Sequence, residues 1–312
     1  MANKRIKIGF IMDPPEKLHL EDDSSFRLIN EGLKRKHDVH YIIAKDVFVE
    51  NGVAQAYSHS PKTDLKAKTL SLHNRKKIDL SSLDVIMIRK DPPFNMDYIY
   101  LTYILELVED KVFCINQPST IRSVNEKFYA QNFSELTPKT LISKNIDDIK
   151  EFLTQNKNGI VLKPLDLKGG SGIFKVVSQD PNKNELIKAS TNEGTTYTVA
   201  QEYLPGIKKT GDKRITIING EIVNAILRVP RKDDFKGNIS AGATAKKIKI
   251  TAKEQKICSM LKDFFLDNGL YFVGLDFIDE KITEINVTSP ITTFTIYPKN
   301  TAIIWDFIEK AA

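Results

Sequence analysis

The rhythm of the chain changes part-way along, and that change limits the folds open to it. Up to Ile115, short apolar runs alternate with helix-like segments. Ile6–Met12, Val39–Ile43, Val85–Ile88 and Val112–Ile115 read as buried strands. Phe26, Ile29 and Leu33 recur at helical spacing behind Ser24, which is placed to cap that helix. A polar hairpin is expected to turn at Asn51-Gly52. A second helix is expected from Asp97 to about Glu109. Strand–helix–strand repeats build a parallel sheet with helices on its faces. Ligands gather at the C-terminal strand ends of such sheets, where Asp13-Pro14-Pro15 and Arg89-Lys90-Asp91-Pro92-Pro93 fall.

Beyond a joint at Leu136-Thr137-Pro138 the pattern becomes a small α+β unit. Leu141–Ile142, Ile160–Lys163, Ile173–Val177 and Thr198–Tyr203 are its strands, with helices at Ile146–Gln155 and near Pro181–Ala189. The remainder reads as mostly antiparallel. Arg214–Ile218 and Ile222–Arg228 flank the turn Asn219-Gly220, and Tyr271–Ile278 with Ile282–Thr288 form a later hairpin. The helix Ala252–Asp267 lies between them, and a closing helix starts near Thr301. The fold class is therefore mixed, α/β followed by α+β.

Composition excludes several alternatives. With 41% hydrophobic and 28% charged residues the chain can bury cores, and at 312 residues it has room for two or three domains. The net charge of +6 is spread along alternating lysines and acids rather than gathered into a nucleic-acid stripe. The densest basic stretch, Lys246 to Lys256, reads as a solvated strand and helix face. A small positive surplus is suited to an anionic substrate. Cys114 and Cys258 sit in apolar surroundings without a CxxC, as buried free thiols of a reducing compartment do. No apolar run reaches about 18 residues, and no signal core opens the chain. The expectation is a cytosolic protein that binds neither membrane nor nucleic acid.

Three groups of residues carry chemistry. Gly169-Gly170-Ser171-Gly172 joins two strands, and bare glycines let backbone N–H groups approach phosphate oxygens, although a plain hairpin turn reads equally well. Lys163 stands at the end of the preceding strand. In the last hairpin, strand alternation puts Gly274 and Asp276 on one face, and Glu284, Asn286 and Thr288 on one face of its partner. A three-residue loop would set Asp276 opposite Glu284, where two carboxylates and an amide suit Mg²⁺. A two-residue loop at Asp279-Glu280 would separate the acids. Asp212, Lys213 and Arg214 lie on one strand of the earlier hairpin and Arg228 on the other, with Arg231 and Lys236 beyond. A simple Asn219-Gly220 turn puts Arg228 on the face opposite Arg214, so a bulge or the strand's end must bring them together.

Taken in order, these pieces resemble bacterial glutathione synthetase, of the ATP-grasp superfamily. The likeness runs through Met12-Asp13-Pro14, Arg89-Lys90-Asp91-Pro92-Pro93-Phe94, Asn125-Glu126-Lys127, Leu162-Lys163-Pro164-Leu165-Asp166, Tyr203-Leu204-Pro205, Gly211-Asp212-Lys213-Arg214 and Phe272-Val273-Gly274-Leu275-Asp276. The resemblance implies three parts: a substrate-binding α/β domain over 1–124, an ATP-grasp lid over 125–204 and a catalytic antiparallel sheet over 205–312. It implies that Lys127, Lys163, Gly169, Gly170, Ser171, Gln201, Glu202, Tyr203 and Leu204 bind ATP. Asp276, Glu284 and Asn286 would carry Mg²⁺ or Mn²⁺. Arg214, Arg228 and Asp212 would act in catalysis, and Arg89, Asn238, Lys236 and Thr288 would contact substrate. The implied reaction joins γ-glutamylcysteine to glycine at the expense of ATP, in a homotetramer.

The chain departs from the family pattern in two places. Ile291 to Pro298 lacks the Arg and Glu usual there, and Lys236 stands where relatives commonly have Arg. Lys offers a point charge and not a planar fork. A ligase for another dipeptide or amine is the alternative reading, and a nucleotide-binding protein without turnover is a third.

Overall fold

A computed structural model describes residues 4–21, 23–231, 234, 236–239, 242–290, 294 and 296–312. The chain opens with β1 (Lys7–Met12), α1 (Ser24–Lys34), β2 (Asp38–Glu50), β3 (Val53–Asp64), β4 (Thr69–Asp79), β5 (Val85–Ile88), α2 (Met96–Glu106), β6 (Phe113–Ile115) and α3 (Pro118–Ser123). One sheet orders them β4-β3-β2-β1-β5-β6. β2, β1, β5 and β6 run parallel, whereas β3 and β4 pair antiparallel. β1 and β5 are buried almost throughout because helices cover both faces, which is why they read as continuous apolar runs.

Two details differ from the sequence expectation. The helix cap is Asp23, whose Oδ1 accepts the Phe26 N–H at 2.7 Å, and Ser24 is the first residue inside α1. Asp23 is in extended backbone just before the helix, where a side-chain oxygen reaches the N–H three residues on. β4 was not legible because it is an edge strand with most side chains in solvent, and its apolar alternation is only Leu70 and Leu72, which pack against the first core.

The middle unit holds β7 (Thr140–Ser143), α4 (Ile146–Gln155), β8 (Ile160–Pro164), β9 (Phe174–Val176), α5 (Lys183–Ser190) and β10 (Thr198–Glu202). Its antiparallel sheet, in the order β7-β10-β8-β9, packs Leu162, Val176 and Ala200 against Ile149, Leu153 and Ile187 of the two helices. The short α6 (Gly206–Thr210) leads to β11 (Asp212–Ile218), β12 (Glu221–Val229), β13 (Thr244–Lys247), α7 (Ala252–Asp267), β14 (Phe272–Ile278) and β15 (Lys281–Asn286). These strands form an antiparallel sheet, β13-β12-β11-β14-β15. α7 starts on a capping box, Thr251 with Glu254, and lays Ile257, Leu261 and Phe265 on one face of that sheet. The other face is turned toward the middle unit.

α8 (Asn300–Ala311) returns to the first unit. Trp305 is fully buried there, its Nε1 donating to the Leu28 carbonyl at 2.8 Å and its ring stacked on His37 at 4.8 Å. His37 Nδ1 accepts the Ile6 N–H, so Nε2 carries the proton toward Glu309. Lys246, Lys247, Lys249, Lys253 and Lys256 are all solvent-exposed, as the sequence reading holds. Both cysteines are free and buried, and burial pushes each thiol up to about 12. No helix among the described residues is long and apolar enough to cross a membrane.

Candidate active site

The two hairpins of the third sheet build one charged face. β14 and β15 are joined by the two-residue turn Asp279-Glu280, with Ile278 opposite Lys281. That turn alone would separate the acids. Thr283 is an extra residue in β15, and this bulge puts Glu284 opposite Asp276 and Asn286 opposite Gly274. The hairpin of β11 and β12 does the same. Thr216 pairs with Asn224 and Ile217 with Ile222, so Val223 is the extra residue. Arg228 is thereby set opposite Asp212, and Arg214 lies between Ile226 and Asp276. The bulge that the alternation required is present.

Charges of opposite sign then interlock across β12, β11 and β14. Arg214 grips Asp276 with two parallel donors, its Nε on Oδ1 and its Nη2 on Oδ2 at 2.8 Å. Arg228 Nη2 reaches Asp276 Oδ2 at 2.9 Å and also bonds Asp212 Oδ2. Burial favours the neutral acid at Asp276, but the two guanidiniums override it and hold the carboxyl far below its usual range. Asp212 goes the other way. Burial raises it to about 6, beyond what Arg228 can offset, with Asp276 adding repulsion. Its Oδ1 has no hydrogen-bond partner among the described residues.

The second cluster crosses between units. Lys127 Nζ lies 3.1 Å from Glu284 and donates to the Leu167 carbonyl at 2.6 Å. Burial opposes its charge, yet Glu284 and Glu126 keep its pKa above the ordinary lysine value. Lys163, from β8, donates to Gln201 Oε1 of β10 at 2.7 Å, and burial, with Lys127 adding to it, pushes its ammonium pKa down. Two lysines thus face the acids, close enough to repel one another. Tyr203 lies under Lys175, 3.5 Å from its ring centroid, Glu202 points toward Lys281, and the Leu204 carbonyl accepts the Ile207 N–H.

The glycine loop meets the loop that carries Lys236 and Asn238. Gly169 and Gly170 have φ of 69° and 83°, and the Ser171 N–H closes a turn on the Lys168 carbonyl. A Cβ on Gly170 would stand 3.0 Å from Asn238 Oδ1 and 3.2 Å from Lys236 Cδ. At this φ and this close to both side chains, any residue with a Cβ is strained and crowds the contact. Gly237 similarly clears Asp212, whose Oδ2 would be 2.6 Å from a Cβ. Ser240 and Ala241 of the same loop lie outside the described residues. On the other side Arg89 is buried, its Nε donating to Ser25 Oγ at 2.9 Å and its Nη2 to the Pro290 carbonyl at 3.0 Å. Of the altered stretch, Ile291, Thr292, Thr293 and Thr295 lie outside the described residues, and Phe294 is buried in the first core.

Thr288 is held by a residue given no role from the sequence. Glu126 Oε1 accepts the Thr288 hydroxyl at 2.8 Å and the backbone N–H groups of Val287 and Thr288. Burial, with Glu284 adding to it, raises the Glu126 carboxyl. Adjacency to Lys127 was its only signal. Lys168 with Asp91 was likewise missed.

The donors Asp276, Glu284 and Asn286 are all oxygen-bearing and share one face, which fits a hard divalent cation. Among the described residues no cluster of three or more His, Cys, Asp or Glu could hold an ion alone. A cation there must complete its shell from water or phosphate oxygens, as Mg²⁺ readily does.

The architecture and this cleft define an ATP-grasp ligase. The chain superposes on D-cycloserine synthetase DcsG with a TM-score of 0.68, covering 97% of this chain and 99% of that one at 12% identity. It superposes on D-alanyl-alanine synthetase A from Vibrio cholerae at 0.61, covering 99% of each at 11% identity. Residues 6–122 match the prokaryotic glutathione synthetase N-terminal domain, and residues 126–300 match the prokaryotic glutathione synthetase ATP-grasp domain. The Glutathione synthetase of Escherichia coli (strain K12) is 40% identical over 288 residues, 91% of this chain and 90% of that protein. That of Buchnera aphidicola subsp. Schizaphis graminum is 37% identical over 315 residues, 98% and 97% of the two chains. The chain belongs to the prokaryotic glutathione synthetase family.

Proposed function

We propose that this protein joins γ-glutamylcysteine to glycine at the expense of ATP, releasing ADP and phosphate. The observation that carries the reading is the meeting of Lys127 and Lys163 with the acid face of Asp276, Glu284 and Asn286 across one cleft. A carboxylate is a poor electrophile at neutral pH. Transfer of the ATP γ-phosphoryl to it gives an acyl phosphate. The glycine amine then attacks the acyl carbon and phosphate leaves.

Within that reaction Lys127 and Lys163 bind phosphate oxygens, and the turn over Gly169, Gly170 and Ser171 presents backbone N–H groups to them. Gln201 orients Lys163. Gln201, Glu202, Tyr203 and Leu204 line the nucleotide pocket. Asp276, Glu284 and Asn286 hold Mg²⁺ or Mn²⁺, which when bound offsets the phosphate charge. Arg214 and Arg228 offset charge on the transferring phosphoryl, and Asp212 orients Arg228. Arg89, Thr288, Asn238 and Lys236 contact the peptide and acceptor. The division into 1–124, 125–204 and 205–312 is part of the same proposal, as is a cytosolic location.

A homotetramer also belongs to it. Met96, Tyr100, Tyr103 and Leu107 are half-exposed or more at a four–three–four spacing along α2 and just past its end, a seam suited to another helix. Sedimentation of the purified protein tests this: a monomer at micromolar concentration counts against it.

Mass spectrometry of the product from ATP, γ-glutamylcysteine and glycine tests the activity. The tripeptide is expected, with one ADP for each. ADP release with a different amine and none with glycine would establish the alternative ligase, and nucleotide binding without any product would establish a protein lacking turnover.

A further inference from the structure

We propose that Lys168 is a latch residue, which holds the glycine loop closed over the cleft by pairing with Asp91. This rests on the ligase reading above. Asp91 touches all three parts of the molecule. Its backbone N–H donates to Asp13 Oδ2 at the end of β1, 2.9 Å away. Its Oδ1 accepts the Ser289 hydroxyl, beyond β15. Its Oδ2 pairs with Lys168 Nζ from the loop between β8 and β9.

An ion pair between partly exposed groups ordinarily contributes little, because both side chains must be ordered. Here one partner is ordered already. Ser289 and Asp13 fix Asp91, so only the lysine has to be immobilised.

The neighbouring residues show what the pair adds. The loop is anchored residue by residue. Asn125 Nδ2 donates to the Leu165 carbonyl at 3.0 Å, Phe94 N–H to the Asp166 carbonyl at 2.9 Å, and Lys127 Nζ to the Leu167 carbonyl. The third anchor uses a lysine that phosphate would recruit. When Lys127 turns to phosphate, Lys168 with Asp91 remains as the charged attachment beside the glycines. A loop that opens early admits water to the acyl phosphate. Water oxygen then adds to the acyl carbon, the bond to the phosphate oxygen breaks, and carboxylate and inorganic phosphate form without peptide.

The test compares Lys168→Met with Lys168→Arg, which keeps the charge. Hydrogen exchange of the backbone over residues 165–172 is measured without ligands. ADP per tripeptide is measured during turnover. Lys168→Met should exchange about three- to fivefold faster, and its ratio should rise from one ADP per tripeptide to about two. Lys168→Arg should match the wild type in both. Unchanged exchange in Lys168→Met overturns the latch, as does faster exchange with an unchanged ratio, or an arginine variant that behaves like methionine. Should the wild type form no tripeptide at all, the ligase reading fails, and the exchange comparison still decides whether Lys168 closes the loop.

Discussion

The hairpin of β11 and β12 and the hairpin of β14 and β15 reach the same geometry from different sequences. The first turns on Asn219-Gly220, with φ of 49° and 74°. The second turns on Asp279-Glu280, with φ of 50° and 58°. Asn-Gly is favoured in such a turn, whereas a glutamate at positive φ is uncommon. Yet neither turn sets the functional face. In both hairpins one inserted residue, Val223 or Thr283, shifts the count by one. One bulge delivers a guanidinium to the site and the other a carboxylate. The site is therefore built by the irregularities of the sheet, and the turns only close it.

The sharpest way to break the pairing of the two hairpins is to remove the charge they share. Asp276→Asn should lower turnover by about a thousandfold, since it weakens an electrostatic contact at the reacting centre. It also leaves Arg214 and Arg228 facing a neutral group in a buried site, so stability should fall by about 3 kcal/mol. ADP release and urea unfolding measure the two effects. Wild-type turnover in this variant would remove Asp276 from the chemistry.

Inserting an alanine after Asn224, beyond the bulge, attacks the geometry while keeping every charge. The register of β12 past the insertion slips by one, so Arg228 comes opposite Gly211 and moves to the other face, away from Asp212 and Asp276. Turnover should drop by about a hundredfold, the usual effect of misplacing a catalytic group. Circular dichroism confirms that the sheet survives. A fully active insertion variant would show that the face on which Arg228 lies is incidental.

These bulges mark the limit of what the sequence reveals. The parallel strands β1 and β5 were legible because burial on both faces leaves unbroken apolar runs. α7 was legible end to end because Thr251 and Glu254 announce it. The charged residues of the site were legible as types and in order. Their shared face was not, since alternation counted outward from Asn219-Gly220 or Asp279-Glu280 fails at the inserted residue. β4 was invisible because its apolar alternation, Leu70 and Leu72, is too short to mark a strand. Glu126 was missed because its partners, the backbone of Val287 and Thr288, lie far along the chain.

A change in the glycine loop leaves both hairpins untouched and separates their contribution from that of the loop. Gly170→Val places a branched side chain at φ 83° and against Asn238 and Lys236. The glycine loop should be displaced from Lys236 and Asn238, and nucleotide affinity should weaken by about tenfold. Isothermal titration with a non-hydrolysable ATP analogue measures this. Unaltered affinity would take the loop out of the nucleotide site.

The smallest effect distinguishes the hairpins by their acids, since Asp212 of β11 and Asp276 of β14 share Arg228 yet shift in opposite directions. Asp276 is ionised in both the folded and unfolded chain above about pH 4, so it adds no slope there. Asp212 is raised from 3.8 to about 6 in the fold. Between those values the folded state holds a proton that the unfolded state has released. Its stabilising contribution is complete below the lower value and is lost as pH rises through the higher one. The metal-free protein should therefore lose stability with rising pH across this window, by at most about 1.4 kcal/mol per pH unit from this group. Asp212→Asn should flatten the profile, whatever it does to the mean stability. Urea unfolding at pH 4.5, 5.5 and 6.5, in the presence of a chelator, reads the difference between the two proteins. An unchanged slope in the variant would mean that Arg228 keeps Asp212 charged, and that the two hairpins treat their acids alike.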